Sequence, residues 1–280
     1  MSAVDLRDVS FTYLGSPKPS ISHVSFTIDK GQFVVLTGPS GCGKTSVCRC
    51  LNGLIPHFYS GELQGDATVC GLNIREVSTN ELARKVGFVF QNPENQLFSL
   101  SVERDVAFGP ENLGLSRAET RERVEWALNV TGISGLRDRA PYELSGGQQQ
   151  RAAISAVLAM KPEVMVLDEP TSFLDPRSAV EILEVVHNLN RKLGMTIVLV
   201  EHRLDLASQY ADRAIIMDRG TTILDGKPAD VYNERAYLIG IGIPRITLLG
   251  QLLKKDGLPI PNVPLTVDDA SATLRRILNA

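Results

Sequence analysis

The octet Gly38-Pro39-Ser40-Gly41-Cys42-Gly43-Lys44-Thr45 follows the apolar run Phe33–Thr37 and constrains the fold of this chain more than any other stretch. Its G-x-x-x-x-G-K-[ST] spacing, set between a predicted strand and a predicted helix, is that of a loop whose backbone N–H groups cradle phosphate oxygens. Glycines let those groups turn inward, and the start of the following helix adds a dipole favourable to an anion. Lys44 is placed to meet β and γ phosphates, and Thr45 to offer its hydroxyl to Mg²⁺. With Ser46, the loop is the candidate nucleotide-binding set.

A second signal ends another apolar run, where Val164–Leu167 is followed directly by Asp168 and Glu169. Two adjacent acids at the end of a buried strand have little reason to exist as packing, because burying unpaired charge is costly. Asp168 fits the acid that holds Mg²⁺ beside a phosphate loop. Glu169 fits a base or orienter for an attacking water. With 29 Lys and Arg against 32 Asp and Glu, a net charge of −3, the chain has no basic field to neutralise nucleic-acid phosphates, so no nucleic-acid partner is expected. Cys42, Cys48, Cys50 and Cys70 lack metal-ligand spacing and read as reduced thiols used as small apolar residues of a cytosolic protein. Met1–Asp8 carries charge and no apolar core of a secretory signal. Ala236–Leu253, the most apolar long stretch, is broken by Pro244, Arg245 and glycines and falls short of the roughly 20 apolar residues that span a bilayer. Any membrane role is expected to come through a separate partner.

Along the chain, β-rich runs at Val4–Tyr13, Ile21–Ile28, Phe33–Thr37 and Ala67–Leu72, separated by Gly, Pro and Ser, predict strands, many in an antiparallel layer. From Gly43 onward strands alternate with helices, and apolar runs at Val164–Leu167, Thr196–Val200 and Ala214–Met217 predict an α/β core around a parallel sheet buried on both faces. Residues 93–159 read as a mostly helical insertion, with helices over Arg117–Val130 and Gln148–Met160. Asp175 is the predicted N-cap of a helix that has Pro176 at its first position and stops at Gly194. Residues 1–225 form one expected domain; 226–280 read as a small extension whose last helix is capped by Thr266 with Asp269.

Leu144-Ser145-Gly146-Gly147-Gln148, followed by Gln149-Gln150-Arg151, resembles the signature motif of the ATP-binding cassette (ABC) ATPases. Physically it is a second helix start that offers a serine and glycine amides to phosphate. The resemblance implies a P-loop NTPase of the ABC cassette type, with an antiparallel β subdomain, the helical insertion and the C-terminal extension. It also implies ATP and Mg²⁺ as ligands, and a head-to-tail pairing in which Ser145, Gly146, Gly147 and Gln148 of one subunit face the nucleotide on the other. The resemblance assigns Tyr13 to adenine stacking, Gln91 to sensing Mg²⁺ and water at the base of the insertion, and His202 to the γ-phosphate. It makes Lys44, Gln91, Glu169 and His202 the catalytic set, and Thr45, Gln91 and Asp168 the Mg²⁺ set. Asp175 belongs to the segment that follows the two acids; there Phe173 departs from the small residue usual in the family.

The runs Gln91–Phe98 and Val102–Leu115 resemble the energy-coupling-factor (ECF) transporter ATPases, which include the cobalt and nickel uptake type. That resemblance covers essentially the whole chain. It implies ATP hydrolysis that powers import of a vitamin or of cobalt or nickel, with a second ABC ATPase subunit (the same chain or a different one), a transmembrane coupling subunit and a substrate-binding membrane subunit as partners. The expected location is peripheral, at the cytoplasmic face of the cell membrane. Leu97 and Phe98 are expected to form an apolar contact for the transmembrane partner, and Leu248, Leu249, Leu252 and Leu253 either pair two ATPases or cap the cassette. A soluble ABC ATPase acting on nucleic acid or ribosomes is the competing reading. No sustained heptads separate Lys44 from Ser145, however, and the chain carries one cassette. A regulatory cassette that binds nucleotide without turnover conflicts with the intact Lys44, Asp168, Glu169 and His202.

Overall fold

The computed structural model describes residues 2–278; Met1 and residues 279–280, which the expected domain bounds take in, lie outside the described residues. The chain opens with β1 (Ser2–Tyr13) and β2 (Ile21–Asp29), antiparallel, and then enters the core with β3 (Phe33–Thr37). The phosphate loop leads into α1 (Lys44–Leu51), and a short α2 (Leu54–His57) returns the chain to β4 (Gly61–Val69) and β5 (Leu72–Asn73). The order β2-β1-β4-β5 makes the expected antiparallel sheet. One boundary differs. Ala67–Leu72 is not a single strand, because Cys70 and Gly71 both adopt positive φ and turn Val69 back onto Leu72, the pattern of a two-residue type I′ hairpin.

After α3 (Thr79–Ala83), β6 (Val86–Val89) enters the second sheet, and the insertion follows as α4 (Val102–Asn112), α5 (Arg117–Val130) and α6 (Gly146–Leu158). α4 has no counterpart among the expected helices, since Gly109-Pro110 reads as punctuation in sequence. In the fold Pro110 lies near the helix end, where its missing N–H forfeits one backbone bond. Capping boxes open α5 (Ser116 with Glu119) and α6 (Ser145 with Gln148).

The core then continues through β7 (Val164–Asp168), α7 (Pro176–Leu193), β8 (Thr196–Val200), α8 (Leu204–Ala207), β9 (Arg213–Asp218) and β10 (Thr221–Gly226). Its six-stranded sheet has the order β10-β9-β3-β8-β7-β6 and is parallel except for β10. Every residue of β3, β7 and β8 is buried, which is why these strands read as continuous apolar runs rather than alternating ones. One face of the sheet packs on α6 and α7; the other packs on α1 and the antiparallel sheet. Because β3, β8, β7 and β6 are parallel neighbours, the segments that leave their carboxyl ends gather along one edge. In open α/β sheets that edge is where ligands bind.

The chain ends with α9 (Pro228–Val231), α10 (Glu234–Leu238), α11 (Arg245–Lys255) and α12 (Val267–Leu278). Val231, Tyr232, Ala236 and Ile241 belong to the cassette core, so the first part of the expected 226–280 extension is continuous with it. The Thr266 hydroxyl accepts the N–H of Asp269 at 3.1 Å and caps α12. α11 is tied back by the Asp205 carboxylate, which accepts the Arg245 N–H at 2.7 Å, and by Gln251, which donates to the Tyr232 carbonyl at 2.5 Å. Leu248, Leu249 and Leu252 stay 39–50% exposed along α11, and Leu253 is partly buried.

Candidate active site

The phosphate loop closes on itself between β3 and α1. Gly43 has φ 104°, and a Cβ built there would lie 2.5 Å from the Ser20 carbonyl oxygen, so neither its backbone angle nor its surroundings admit a side chain. Lys44 is buried, and its ammonium donates to the carbonyls of Gly38 (2.9 Å) and Pro39 (3.1 Å), holding the loop around the space where phosphates would sit. Cys42 is buried, and burial pushes its thiol pKa up; it offers the loop its backbone rather than a reactive sulfur. Pro39, Ser40 and Gly41 form the outer rim, and Thr45, in the first turn of α1, is exposed beside Asp168.

Asp168, the last residue of β7, is 8% exposed. Burial raises its carboxyl pKa above the usual range, a hydrogen bond from the Thr45 hydroxyl opposes the shift, and the like charge of Glu169 adds to it. Among the described residues no group of three or more His, Cys, Asp or Glu forms a metal cage. One carboxylate and one hydroxyl beside a phosphate loop suit Mg²⁺, which keeps several waters and takes its remaining ligands from substrate phosphates. Gln91 is the third expected ligand; its side chain is held by Glu169.

Glu169 is where three strand ends meet. It adopts φ 50°, a left-handed conformation costly for a side chain with a Cβ, and its N–H is held by the Val200 carbonyl at 3.0 Å. That turn aims its carboxylate between two neighbours. Gln91 Nε2 donates to Oε2 at 2.8 Å, and His202 Nε2 lies 3.1 Å from Oε1. Residues 78 and 33 positions apart in sequence thus share one carboxylate. A carboxylate so held can orient a water and accept its proton, and an imidazole beside it can donate to a phosphate oxygen.

Tyr13 ends β1 next to α1. Its hydroxyl lies 3.0 Å from Ser46 Oγ and accepts from Arg49 at 2.9 Å, while the Arg49 guanidinium covers the Tyr59 ring at 4.1 Å. Arg49 and Tyr59 escaped sequence reading because no spacing pattern links them to Tyr13. Tyr13→Ala is expected to raise the ATP KM roughly 5- to 150-fold, the equivalent of about 1–3 kcal/mol of base stacking. Tyr13→Phe keeps the ring and should stay near wild type; an unchanged KM in the alanine variant would place the base elsewhere.

The signature lies at the start of α6. Ser145 Oγ accepts the Gln148 N–H (3.4 Å), and the Gln148 side chain accepts the Ser145 N–H in return (3.0 Å). Gly146 and Gly147 leave first-turn amides without intrahelical partners. A Cβ on Gly147 would come within 3.1 Å of Ser178 Cβ and Oγ, so glycine is what lets α6 abut the start of α7. Ser178 there donates to Asp175 at 2.6 Å, and Asp175 accepts the Arg177 and Ser178 N–H groups, both at 3.0 Å. The signature and the Asp175 segment are therefore one surface. A hollow of about 470 Å³ lies beside it, lined by Gln91, Leu144, Gly146 and Leu174 and by two exposed rings, Tyr142 and Phe173, and by no residue of Gly38–Thr45.

A phosphate loop, a buried acid beside it and a carboxylate shared by Gln91 and His202 on one sheet edge are the arrangement of a P-loop nucleotide-hydrolysing enzyme. The separate signature surface narrows this further, and comparison with known proteins gives the family: residues 21–172 match the ABC transporter model, and the chain belongs to that family. It is 46% identical over 277 residues to a putative ABC transporter ATP-binding protein of Pyrococcus horikoshii, covering 98% of this chain and 97% of that one. It is 41% identical over 270 residues to the energy-coupling factor transporter ATP-binding protein EcfA1 of Clostridium perfringens, covering 94% of each. Among solved structures, CbiO1 of Clostridium perfringens, described as part of the ABC transporter complex CbiONQ, matches with a TM-score of 0.76 at 32% identity, over 90% of this chain and 99% of that one. A dimeric ATP-binding cassette in a post-hydrolysis state bound to ADP and Pi matches with a TM-score of 0.69 at 28% identity, over 80% of this chain and 98% of that one. This chain is an ABC ATPase, the ATP-hydrolysing subunit of a transporter, built on the α/β cassette expected from its motifs.

Proposed function

We propose that the chain powers an ECF-type importer of a micronutrient, a vitamin or a cobalt or nickel ion. In this reading it is a peripheral subunit at the cytoplasmic face of the membrane, paired with a second cassette and bound to a transmembrane coupling subunit that carries a substrate-binding membrane subunit. Similarity to EcfA1 along 94% of both chains supports the type, and the likeness to CbiO1, described as part of an ABC transporter complex, supports the assembly with partner subunits. No described helix is long and apolar enough to cross a membrane, so the reading takes its membrane contact from a partner.

One observation carries the coupling. The segment after β6 begins with Gln91 on the Glu169 carboxylate and reaches Phe98 in an apolar groove of about 460 Å³, lined also by Leu54, Phe88, Phe90, Phe108 and Met160. Asp105 of α4 fixes the far end by accepting the N–H groups of Phe98 and Ser99, each at 3.1 Å. Phe98 is 67% exposed and meets Phe108 edge-on at 4.9 Å. Leu97 is not part of that surface: at 8% exposed it packs into the core, so the expected Leu97–Phe98 contact reduces to Phe98.

ATP would then be gripped by Gly38–Ser46 with Tyr13 on the base, and by Ser145, Gly146, Gly147 and Gln148 of the second cassette. Thr45 and Asp168, with Gln91 nearby, would hold Mg²⁺, which would supply charge stabilisation to the phosphoryl oxygens. Glu169 takes the proton of the attacking water, and His202 steadies the γ-phosphate. The exposed leucines of α11 suit a contact between the two ATPases.

Phe98→Ala is expected to abolish ATP-driven uptake in the assembled transporter while the ATPase of the isolated dimer stays within about 2-fold, a change below 0.5 kcal/mol. Leu97→Ala should instead cost about 2–5 kcal/mol of stability, read as a lower denaturant midpoint. Unchanged uptake by the Phe98 variant would remove the groove from the coupling path.

A further inference from the structure

Glu201 is the residue the reaction scheme leaves unused, and it is the most deeply buried acid among the described residues. It follows β8 directly, is 1% exposed, and takes its hydrogen bonds from neutral donors among the described residues. A carboxylate so deeply buried is tolerated only if its lone pairs are filled. Three donors fill them. Oε1 accepts the backbone N–H groups of His202 (2.8 Å) and Arg203 (3.0 Å), and Oε2 accepts the hydroxyl of the fully buried Thr171 (2.5 Å).

These bonds connect two turns. One carries Glu169, Thr171 and Asp175 away from β7; the other carries His202 away from β8. A second link runs parallel to the first, from the Arg203 guanidinium to the Leu174 carbonyl at 2.9 Å, one residue before Asp175. The β7 turn is itself closed by the Ser172 hydroxyl and N–H on the Glu169 carbonyl, at 3.0 and 3.2 Å. The backbone on which His202 reaches Glu169 is thus clamped at its peptide groups by one buried side chain, and the clamp extends to the segment that abuts the signature.

We infer that Glu201 is a positioning residue for hydrolysis: it sets the His202 imidazole against Glu169 by holding the His202 and Arg203 peptides to Thr171, and with Arg203 it joins the γ-phosphate-facing histidine to the Leu174–Asp175 segment at the cassette interface. The inference rests on the assignment of His202 to the γ-phosphate. It predicts a loss in kcat rather than in nucleotide binding, because Glu201 touches neither the phosphate loop nor Tyr13.

The test is ATP turnover by the assembled ATPase dimer for Glu201→Ala, Glu201→Gln, Thr171→Val, His202→Ala and the double variant Glu201→Ala/His202→Ala. Removing the clamp is expected to lower kcat about 10- to 100-fold, the scale of a misplacement of about 1 Å, with the ATP KM within about 2-fold. Glu201→Gln can accept the two N–H groups on its amide oxygen and donate to the Thr171 hydroxyl, so it should restore most of the activity. Thr171→Val removes only the hydroxyl and should show a smaller loss of the same kind, which keeps the test decisive if Glu201→Ala folds poorly. In the His202→Ala background, Glu201→Ala should cost nothing further, since two groups acting through one imidazole are not additive.

The inference is overturned if Glu201→Ala costs as much kcat without His202 as with it. A loss no greater than the fall in folded fraction, or Thr171→Val indistinguishable from wild type, would overturn it equally. If His202→Ala turns over at the wild-type rate, the assignment of His202 itself fails, a result distinct from a normal Glu201→Ala beside a crippled His202→Ala.

Discussion

Glu169→Gln is expected to bind ATP with normal affinity, accumulate as a closed dimer and turn over about 10²- to 10⁴-fold more slowly than the wild type, the range a positioned general base contributes. The substitution leaves the architecture in place. Gln can accept from Gln91 Nε2, now 2.8 Å from Oε2, and can still face His202 Nε2 at 3.1 Å from Oε1. What it lacks is a lone pair basic enough to take a proton from water. Steady-state phosphate release and gel filtration in ATP check the two halves separately. Turnover within a few-fold of wild type would reassign the base.

Asp168→Asn should have an effect of similar size on chemistry and should stabilise the nucleotide-free protein. Loss of the carboxylate proposed to hold Mg²⁺ would remove several kcal/mol of charge stabilisation from phosphoryl transfer, so hydrolysis should fall by about 10³-fold or more. In the nucleotide-free protein the same carboxylate is a liability, because burial disfavours its charged form and raises its pKa. The native state therefore holds this proton to higher pH than the unfolded chain does. The penalty is present in full at neutral pH and fades as the pH falls through the native pKa toward the unfolded value. The variant should melt at higher temperature than the wild type at pH 7 without nucleotide, and the gap should narrow in acid. Differential scanning fluorimetry across pH measures it; a variant that melts lower at pH 7 would show that the Thr45 bond outweighs the burial.

How much of this was legible in the chain follows from how local each feature is. The phosphate loop, the Asp168–Glu169 pair and the Ser145 cap are each written within a few residues, because backbone turns and helix starts depend on near neighbours. The meeting of Gln91, Glu169 and His202 was named only through family resemblance. Physically it requires β6, β7 and β8 to be parallel neighbours, a long-range property that strand patterns do not encode. Glu201 carried the same signal as Asp168, an acid directly after a run of four apolar residues, but the histidine beside it drew the functional reading. Leu97 and Phe98 look alike in sequence and separate only when the insertion folds, because Asp105 draws the chain around so that one side chain enters the core and the other faces the groove. α4 was hidden by Gly109-Pro110, and the start of the tail was hidden because Tyr232 is a core residue that follows two strands already complete in themselves.

In the proposed assembly a single triphosphate is held by two helix starts, α1 of one subunit and α6 of the other. The most direct measurement is a cryo-electron microscopy structure of the Glu169→Gln assembly with Mg²⁺ and ATP. Ser145 and the Gly147 amide of one subunit are expected at hydrogen-bond distance, about 3 Å, from the γ-phosphate that Lys44 of the other subunit binds. A fully loaded assembly in which every signature serine stands well away from every γ-phosphate would contradict it.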